Sequence, residues 1–287
     1  MNLRMLGLQG VRLWRGGWVF FLLIYDARFS EELREALIDS AFGAIDGTLA
    51  TRVRRSRHAE TWFEHLGSES GPDVYFKVMD AARGGRAARR IFKGSRATHV
   101  ARISRRLRAA GFGVPEILLL GAERQGGREI VVTARVEGRS LPRHLRSADE
   151  TLAAKRGVLR ALGEEVARFH RAGYLHGDLT PYNIFIIGVD PPQFVFIDHD
   201  RTRHTILSRF ERPRMRNLVQ LGHIELKTIT NTDRMRVWCG YSAAMPARRR
   251  RAARRRVALM LRARIARDRN LAHSAETAVT GRREMRG

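Results

Sequence analysis

The sequence predicts an α+β fold in two lobes, a small antiparallel-sheet lobe followed by a mainly helical one. Three observations carry this expectation. From Thr51 to Val136, short runs rich in β-branched and aromatic residues alternate with turn signals, as strands do. From Gly138 to Gly173, apolar residues recur at helical spacing. Between Asn183 and Ile197 the strand pattern returns briefly, as a hairpin inside the helical half. The 287 residues, 44% of them hydrophobic, are enough for a core in one domain or two lobes.

Residues 1–45 are expected to form an N-terminal extension whose role the sequence does not define. Val11–Trp14 and Trp18–Tyr25 are strand-like around Gly16-Gly17. Ser30 can cap a helix through about Phe42, with Glu31 and Glu32 at its positive end and Leu33, Leu37 and Ile38 on one face. The first lobe, 46–137, begins with strands Thr51–Arg55 and Thr61–His65 around a turn at Ser56–Ala59, followed by Val74–Val78. Lys77 lies inside that last run, where a charge is costly unless paired. Arg83–Arg108 is very basic and reads as a flexible loop plus a solvated helix face. The helix spans about Ser95–Ala109, capped by Ser95 and closed by Gly111–Pro115. Glu116–Leu120 and Glu129–Val136 then pair around Gln125-Gly126-Gly127.

The second lobe, 138–245, starts with a short helix at Leu141–Leu145 and a long one over Thr151–Gly173. Leu152, Leu159, Leu162, Val166 and Phe169 share a face of the long helix, and Gly173 ends it. His170 reads as a packed or capping histidine. Arg212–Ile229 reads as a helix interrupted near Gly222. The tail, 246–287, is a basic helix over Arg248–Arg269 with Val257, Leu259, Met260, Leu261 and Ile265 as a modest apolar face; from about Ala272 the composition suggests disorder.

The formal net charge is +25 and the pI about 11.6, so the chain should seek anions: nucleic acid, acidic lipid headgroups or phosphorylated glycans. Cys239 is the only cysteine, which excludes an intrachain disulfide and fits a reducing cytosol. The most apolar run, Trp18–Tyr25, falls short of the roughly 20 residues a membrane span needs. Asp26-Ala27-Arg28 follows it in place of a small-residue cleavage site, so it reads as a buried strand. There is no internal repeat and no Cys/His cluster of metal-site type.

The stretch richest in chemistry is Tyr174–Arg201. A polar loop, His176–Tyr182, precedes strand Asn183–Ile187; Pro191-Pro192 turns the chain; strand Phe194–Ile197 returns, and Asp198 follows at once. This order presents Asp178, Asn183 and Asp198 at one edge of the hairpin. Two carboxylates and an amide oxygen there suit a hard cation such as magnesium. Asp178 is left to accept a proton from a hydroxyl. Asp200 is either a third acid of the same site or a loop anchor through Arg201.

This spacing resembles the catalytic core of protein-kinase-like phosphotransferases, with His176-Gly177-Asp178 in place of His-Arg-Asp and Asp198-His199-Asp200 in place of Asp-Phe-Gly. The His-Gly-Asp form looks like sugar and small-molecule kinases. HGDLTPYNIFI, FIDHDRTR and RPRMRNLVQLGHIELK are similar to the bacterial lipopolysaccharide kinase (Kdo/WaaP-type) family, and the resemblance reaches from about Thr51 to Lys227. That family phosphorylates sugar hydroxyls of the lipopolysaccharide inner core. The resemblance implies ATP bound between the lobes with its adenine at the Thr133–Gly138 hinge, Lys77 on the α- and β-phosphates, Mg2+ on Asn183 and Asp198, and Asp178 as base. It also implies an anionic glycolipid acceptor and a cytoplasmic protein at the inner face of the membrane. Asn217, Leu218 and Leu221 match the family pattern as packing under the loop, and His176 would orient its backbone.

Two departures stand out. Ser56-Arg57-His58-Ala59 carries no glycine where kinases cover the phosphates with a glycine-rich loop. His99 stands where the family tends to have the glutamate that pairs with the lysine, and no acid occurs between Asp80 and Glu116. Either the pair is lost or an acid from elsewhere replaces it. Three rivals therefore stay open. A pseudokinase binding anionic lipid or a protein partner fits the departures but not the intact Lys77, Asp178, Asn183 and Asp198. An aminoglycoside- or choline-type kinase, or a protein kinase, keeps the fold; the small-molecule kinases favour cationic acceptors, against which +25 argues. A nucleic-acid-binding protein rests on charge alone, without a binding motif. The tail could lie on an anionic membrane, bind nucleic acid phosphates, or be a solvated terminal helix.

Overall fold

A computed structural model of the chain describes residues 11–15, 17–22, 30–56, 58–67, 71–80, 95–123, 127–205, 211–223 and 229–284, and for 269–284 the helical backbone alone. Positions 23–25, 57, 83–94, 125–126 and 224–228, expected as strand, turn, basic loop, turn and helix, lie outside the described residues. The chain divides into two compact units, 1–137 and 138–287.

The first unit is built on an antiparallel sheet of β1 (Val11–Arg15), β2 (Trp18–Leu22), β3 (Thr51–Ser56), β4 (Ala59–His65), β5 (Asp73–Asp80), β6 (Ile117–Glu123) and β7 (Arg128–Ala134), seven strands among the described residues, in the order β1-β2-β6-β7-β5-β4-β3. Residues 11–22 extend this sheet, because β2 pairs with β6 and sets Phe20 opposite Gly121. At the other edge, β3 is exposed along its whole length, and Arg52, Arg54 and Arg55 deter further strand addition. Two helices cover the two faces. Helix α1 (Glu31–Asp46) runs past Phe42, because Ala44 and Ile45 also bury, and it ends at Gly47 in the left-handed region. Its Ser30 cap forms as the sequence predicts, the hydroxyl accepting the Leu33 N–H at 3.3 Å. Beneath α1, Leu37 and Ala41 pack with Phe20, Trp62, Phe76 and Ile130. On the opposite face, helix α2 (Arg96–Ala109) lays Ala97, Val100 and Ala101 against Met79, Leu120 and Val131.

The second unit contains β8 (Arg139–Ser140), α3 (Leu141–Arg146), α4 (Leu152–Arg171), β9 (Tyr174–Leu175), β10 (Ile184–Val189), β11 (Pro192–Phe196), β12 (Arg203–His204), α5 (Glu211–Gly222), α6 (Asn231–Ser242) and α7 (Ala247–Glu284). Thr151 caps α4 by accepting the Ala154 N–H at 3.1 Å. Leu159, Leu162, Val166 and Phe169 bury as the spacing predicts, whereas Leu152, in the first turn, is 60% exposed. Helix α6 has no counterpart in the expected elements. Its sequence signal was present in the Thr230–Asp233 capping box, whose reciprocal hydrogen bonds satisfy both ends of the first turn. It crosses α4 at two glycines. A Cβ on Gly163 would lie 2.1 Å from the Val237 carbonyl oxygen, and one on Gly240 would lie 2.0 Å from that of Arg160.

Helix α5 stops at Gly222, short of Ile229. Helix α7 continues to Glu284, past Ala272 where a disordered end was expected; its alanine, arginine and leucine are strong helix formers and no proline interrupts them. Its apolar face is occupied. Val257 and Leu261 share a small cavity with Leu218, Leu221 and Trp238, and Ala253 is buried. Arg256 pairs with Glu211 at 3.2 Å and Asp268 with His223 at 3.1 Å, which fastens α7 to α5. Leu259, expected on the apolar face, is 66% exposed. No helix among the described residues is long and apolar enough to cross a membrane.

Candidate active site

The hairpin β10–β11 forms as expected, with Ile184 opposite Phe196 and Ile186 opposite Phe194. The three candidate site residues flank it on one continuous path of backbone and hydrogen bonds. The Asn183 main chain donates to Thr180 O at 3.0 Å, and its carbonyl accepts the Ile197 N–H at 3.0 Å. Its side-chain Nδ2 donates to the Asp178 carbonyl at 2.9 Å. That bond fixes the amide orientation and leaves Oδ1 as the remaining acceptor. Asp198 follows Ile197 directly, at φ 64°, ψ 63°, a left-handed conformation that redirects the chain into a short 3₁₀ turn over His199–Arg201. Asp178 and Asp198 are half-buried and Asn183 is buried. Asp200 is half-buried within the 3₁₀ turn.

Three histidines hold this arrangement from below. His176 is fully buried; its Nε2 donates to the Ile197 carbonyl at 3.0 Å, so the residue two before Asp178 grips the residue before Asp198. Burial holds its pKa below the ordinary value, and the ring is neutral. His199 donates from Nε2 to Phe196 O at 2.8 Å, while the Thr202 hydroxyl sits 3.1 Å from its Nδ1 and 3.2 Å from the His176 carbonyl. His170, at the end of α4, is 2% exposed, and burial pushes its pKa down to about 4. The neutral ring donates from Nε2 to Asn217 Oδ1 at 3.2 Å and accepts the Tyr241 hydroxyl at Nδ1, 3.0 Å away. Phe169 fills the space between, its ring centroid 5.2 Å from Phe196 and 5.5 Å from Tyr174.

Helix α5 does more than the packing expected of it. Asn217 Oδ1 accepts the His176 N–H at 3.1 Å. Gln220 accepts the Leu179 N–H at 3.1 Å and donates to Gly177 O at 3.2 Å. Asn217 Nδ2 donates to Gln220 Oε1 at 3.1 Å and locks the pair together. The loop backbone on both sides of Asp178 is thus set by two amides. Gln220 was missed from sequence; its i+3 spacing from Asn217 is the signal that could have found it. The glycine of His-Gly-Asp also has a local cause. Gly177 sits at φ +79°, and a Cβ there would meet the Arg201 carbonyl oxygen at 2.6 Å.

Lys77 lies in the other unit. It sits mid-strand in β5, half-buried, opposite Thr61 on β4 and Val131 on β7. The glycine-free turn ahead of β4 is closed by Ser56, whose hydroxyl accepts the Ala59 N–H at 3.1 Å and donates to Ala59 O at 3.0 Å. His99 is half-buried on α2. Among the described residues no group of three or more His, Cys, Asp or Glu side chains is placed to hold a metal ion. The donor set of Asp198 and Asn183, one carboxylate and one amide oxygen, is the oxygen-only, partial set that magnesium accepts when phosphates and water complete its shell.

A model of the lipopolysaccharide kinase (Kdo/WaaP) family matches residues 61–241. Two curated relatives are the 3-deoxy-D-manno-octulosonic acid kinases of Stenotrophomonas maltophilia strains R551-3 and K279a. Each is 32% identical over 170 residues, covering 55% of this chain and 64% of the relative. The match thus spans a little under two thirds of those relatives' length. Among solved structures, WaaP in complex with acyl carrier protein aligns with a TM-score of 0.57 at 18% identity, over 79% of this chain and 91% of that one. The likeness shows the fold, which is kinase-like.

Proposed function

The chain belongs to the lipopolysaccharide kinase (Kdo/WaaP) family, and from that premise we propose that it is an ATP-dependent phosphotransferase acting on a sugar hydroxyl of a lipopolysaccharide inner-core glycolipid. The observation that carries this reading is the hydrogen-bonded path joining Asp178, Asn183 and Asp198. Along it we assign one carboxylate, Asp178, as the base and two oxygen donors, on Asn183 and Asp198, to a hard cation. Asp178 accepts the proton of the attacking sugar hydroxyl. Asn183 and Asp198 hold Mg2+, which when bound neutralises phosphate charge. Lys77 orients the α- and β-phosphates. Most of the rate gain then comes from alignment and charge neutralisation.

The names of the curated relatives support an acceptor of the 3-deoxy-D-manno-octulosonic acid type, and the net charge of +25 suits an anionic one. The chain would meet that acceptor at the cytoplasmic face of the membrane through the exposed arginines of α7, among them Arg248, Arg251, Arg254 and Arg255. Because the apolar face of α7 packs on α5, this contact is electrostatic rather than inserted.

The test is phosphate transfer from Mg-ATP to a core glycolipid bearing this sugar, by wild type beside Asp178→Ala and Asp198→Ala. Transfer by wild type and loss in both variants is expected. Turnover confined to a soluble amino sugar or a peptide would overturn the acceptor. Nucleotide binding without turnover would give the pseudokinase reading the lead. An arm with acyl carrier protein, the partner in the WaaP structure, asks whether it binds this chain.

A further inference from the structure

Glu129 is a carboxylate on a central strand with 2% of its surface exposed. Burying such a charge is costly unless it is met by donors or a cation. One donor is clear. The Ala97 N–H, in the first turn of α2, reaches Glu129 Oε2 at 2.8 Å. The neighbouring Thr98 N–H is satisfied by Ser95 Oγ at 3.1 Å, so strand and cap share the work of closing this helix end.

The sheet register identifies the cation. Glu129 stands opposite Met79, and Lys77 stands opposite Val131. Met79 and Val131 both belong to the cluster that packs under α2. Residues two apart on a strand share a face, so Lys77 and Glu129 both lie on the α2 side of the sheet. They are diagonal neighbours, about 7–8 Å apart at the backbone and within reach of two long side chains. Of the other described acids nearby, one faces away, and Asp73, which shares this face of β5, is already held by other groups. Glu60 stands opposite Val78, on the other face, and pairs with Arg55 at 2.9 Å. Asp73 is held by Arg135 and by His65 at 2.8 Å. Helix α2 has no acid of its own.

We propose that Glu129 is the carboxylate that positions Lys77, taking over from strand β7 the task that a helix glutamate performs in kinases, and that its bond to Ala97 ties the start of α2 to the same point. The proposal rests on Lys77 being the phosphate-orienting lysine. It carries a functional consequence. Where the acid rides on a helix, displacing the helix breaks the ion pair and switches the enzyme off. Here lysine and acid sit on adjacent strands of one sheet, so the pair is set by folding and needs no helix movement.

Glu129→Gln separates the roles, because the amide oxygen can still accept the Ala97 N–H while the charge is gone. The measurements are KM and kcat for Mg-ATP, melting temperature, and the acetylation rate of Lys77 by mass spectrometry at fixed pH. The expected result is a melting temperature within about 4 °C of wild type and a loss of about 10–100-fold in kcat/KM. Lys77 should acetylate faster, because losing the neighbouring charge favours the free amine. In a Lys77→Met background, Glu129→Gln should cost nothing further in kcat/KM. Unchanged Lys77 acetylation overturns the proposal, as does a full extra loss in the Lys77→Met background. If acetylation rises but wild type transfers no phosphate, the pairing stands and the phosphotransfer reading fails. If Lys77→Met leaves nucleotide kinetics unchanged, the assigned role of Lys77 fails whatever Glu129 does to acetylation.

Discussion

The side chain of Asn217 holds the main chain of His176: its Oδ1 accepts the backbone N–H at 3.1 Å inside the core of the second unit. The same oxygen accepts from His170 Nε2, and the other end of the amide reaches Gln220. One side chain on α5 therefore couples the end of α4 to the loop that carries Asp178. Replacing it with leucine keeps the branching and heavy-atom count and strands two buried donors, each worth about 1–3 kcal/mol. Asn217→Leu should lower stability by about 2–6 kcal/mol in chemical denaturation and reduce kcat through the displaced loop. A variant as stable as wild type would show that the network does not hold the loop.

Gly177 and Gly188 make a controlled pair. Both have positive φ, +79° and +74°, so any side chain is strained by about 1–2 kcal/mol at either site. Only Gly177 is also crowded; the nearest atom to a Cβ on Gly188 is 3.9 Å away. Gly177→Ala should shift Asp178 and cost about 100-fold in kcat, the order expected for a misplacement near 1 Å. Gly188→Ala should cost stability alone. Equal activities in the two variants would refute the assignment of the loop.

His170 makes stability depend on pH. Its pKa falls from 6.5 in the unfolded chain to about 4 in the fold, chiefly through burial, with Arg214 adding to the effect. The folded state thus binds fewer protons, so this contribution is complete above pH 6.5 and is lost as pH falls from 6.5 toward 4. The shift corresponds to about 3 kcal/mol. His176 is shifted the same way. His170→Gln should be less stable at pH 7.5 and show a shallower decline between pH 6.5 and 4; parallel curves would exclude the histidine as a source of the slope.

The crossing of α4 and α6 allows no side chain at either glycine, because the opposing atoms are backbone. Gly163→Ala or Gly240→Ala should cost about 1–3 kcal/mol by forcing the helices apart. Gly157, on the same helix with open space around it, should gain stability on the same change, by about 0.5–1 kcal/mol. Melting temperatures of the three variants would decide it.

Much of this protein was legible in the sequence. The period-two runs from Thr51 to Val136, the helical spacing of Leu159, Leu162, Val166 and Phe169, and the Ser30 and Ser95 caps are local signals, and local sterics and hydrogen bonding produce them. The order loop, strand, strand, Asp198 brought Asp178, Asn183 and Asp198 to one hairpin edge for the same reason, since a hairpin joins neighbours in sequence. Tertiary structure decided what depends on approach between distant segments. That Gln220 clasps Gly177, that Gly163 admits Gly240, that α7 spends its apolar face on α5, and that Glu129 lies diagonal to Lys77 across a 52-residue gap in the chain all follow from sheet register and helix packing. No periodicity reports these contacts, because a side chain's partner across the fold is chosen by geometry rather than by its neighbours along the chain.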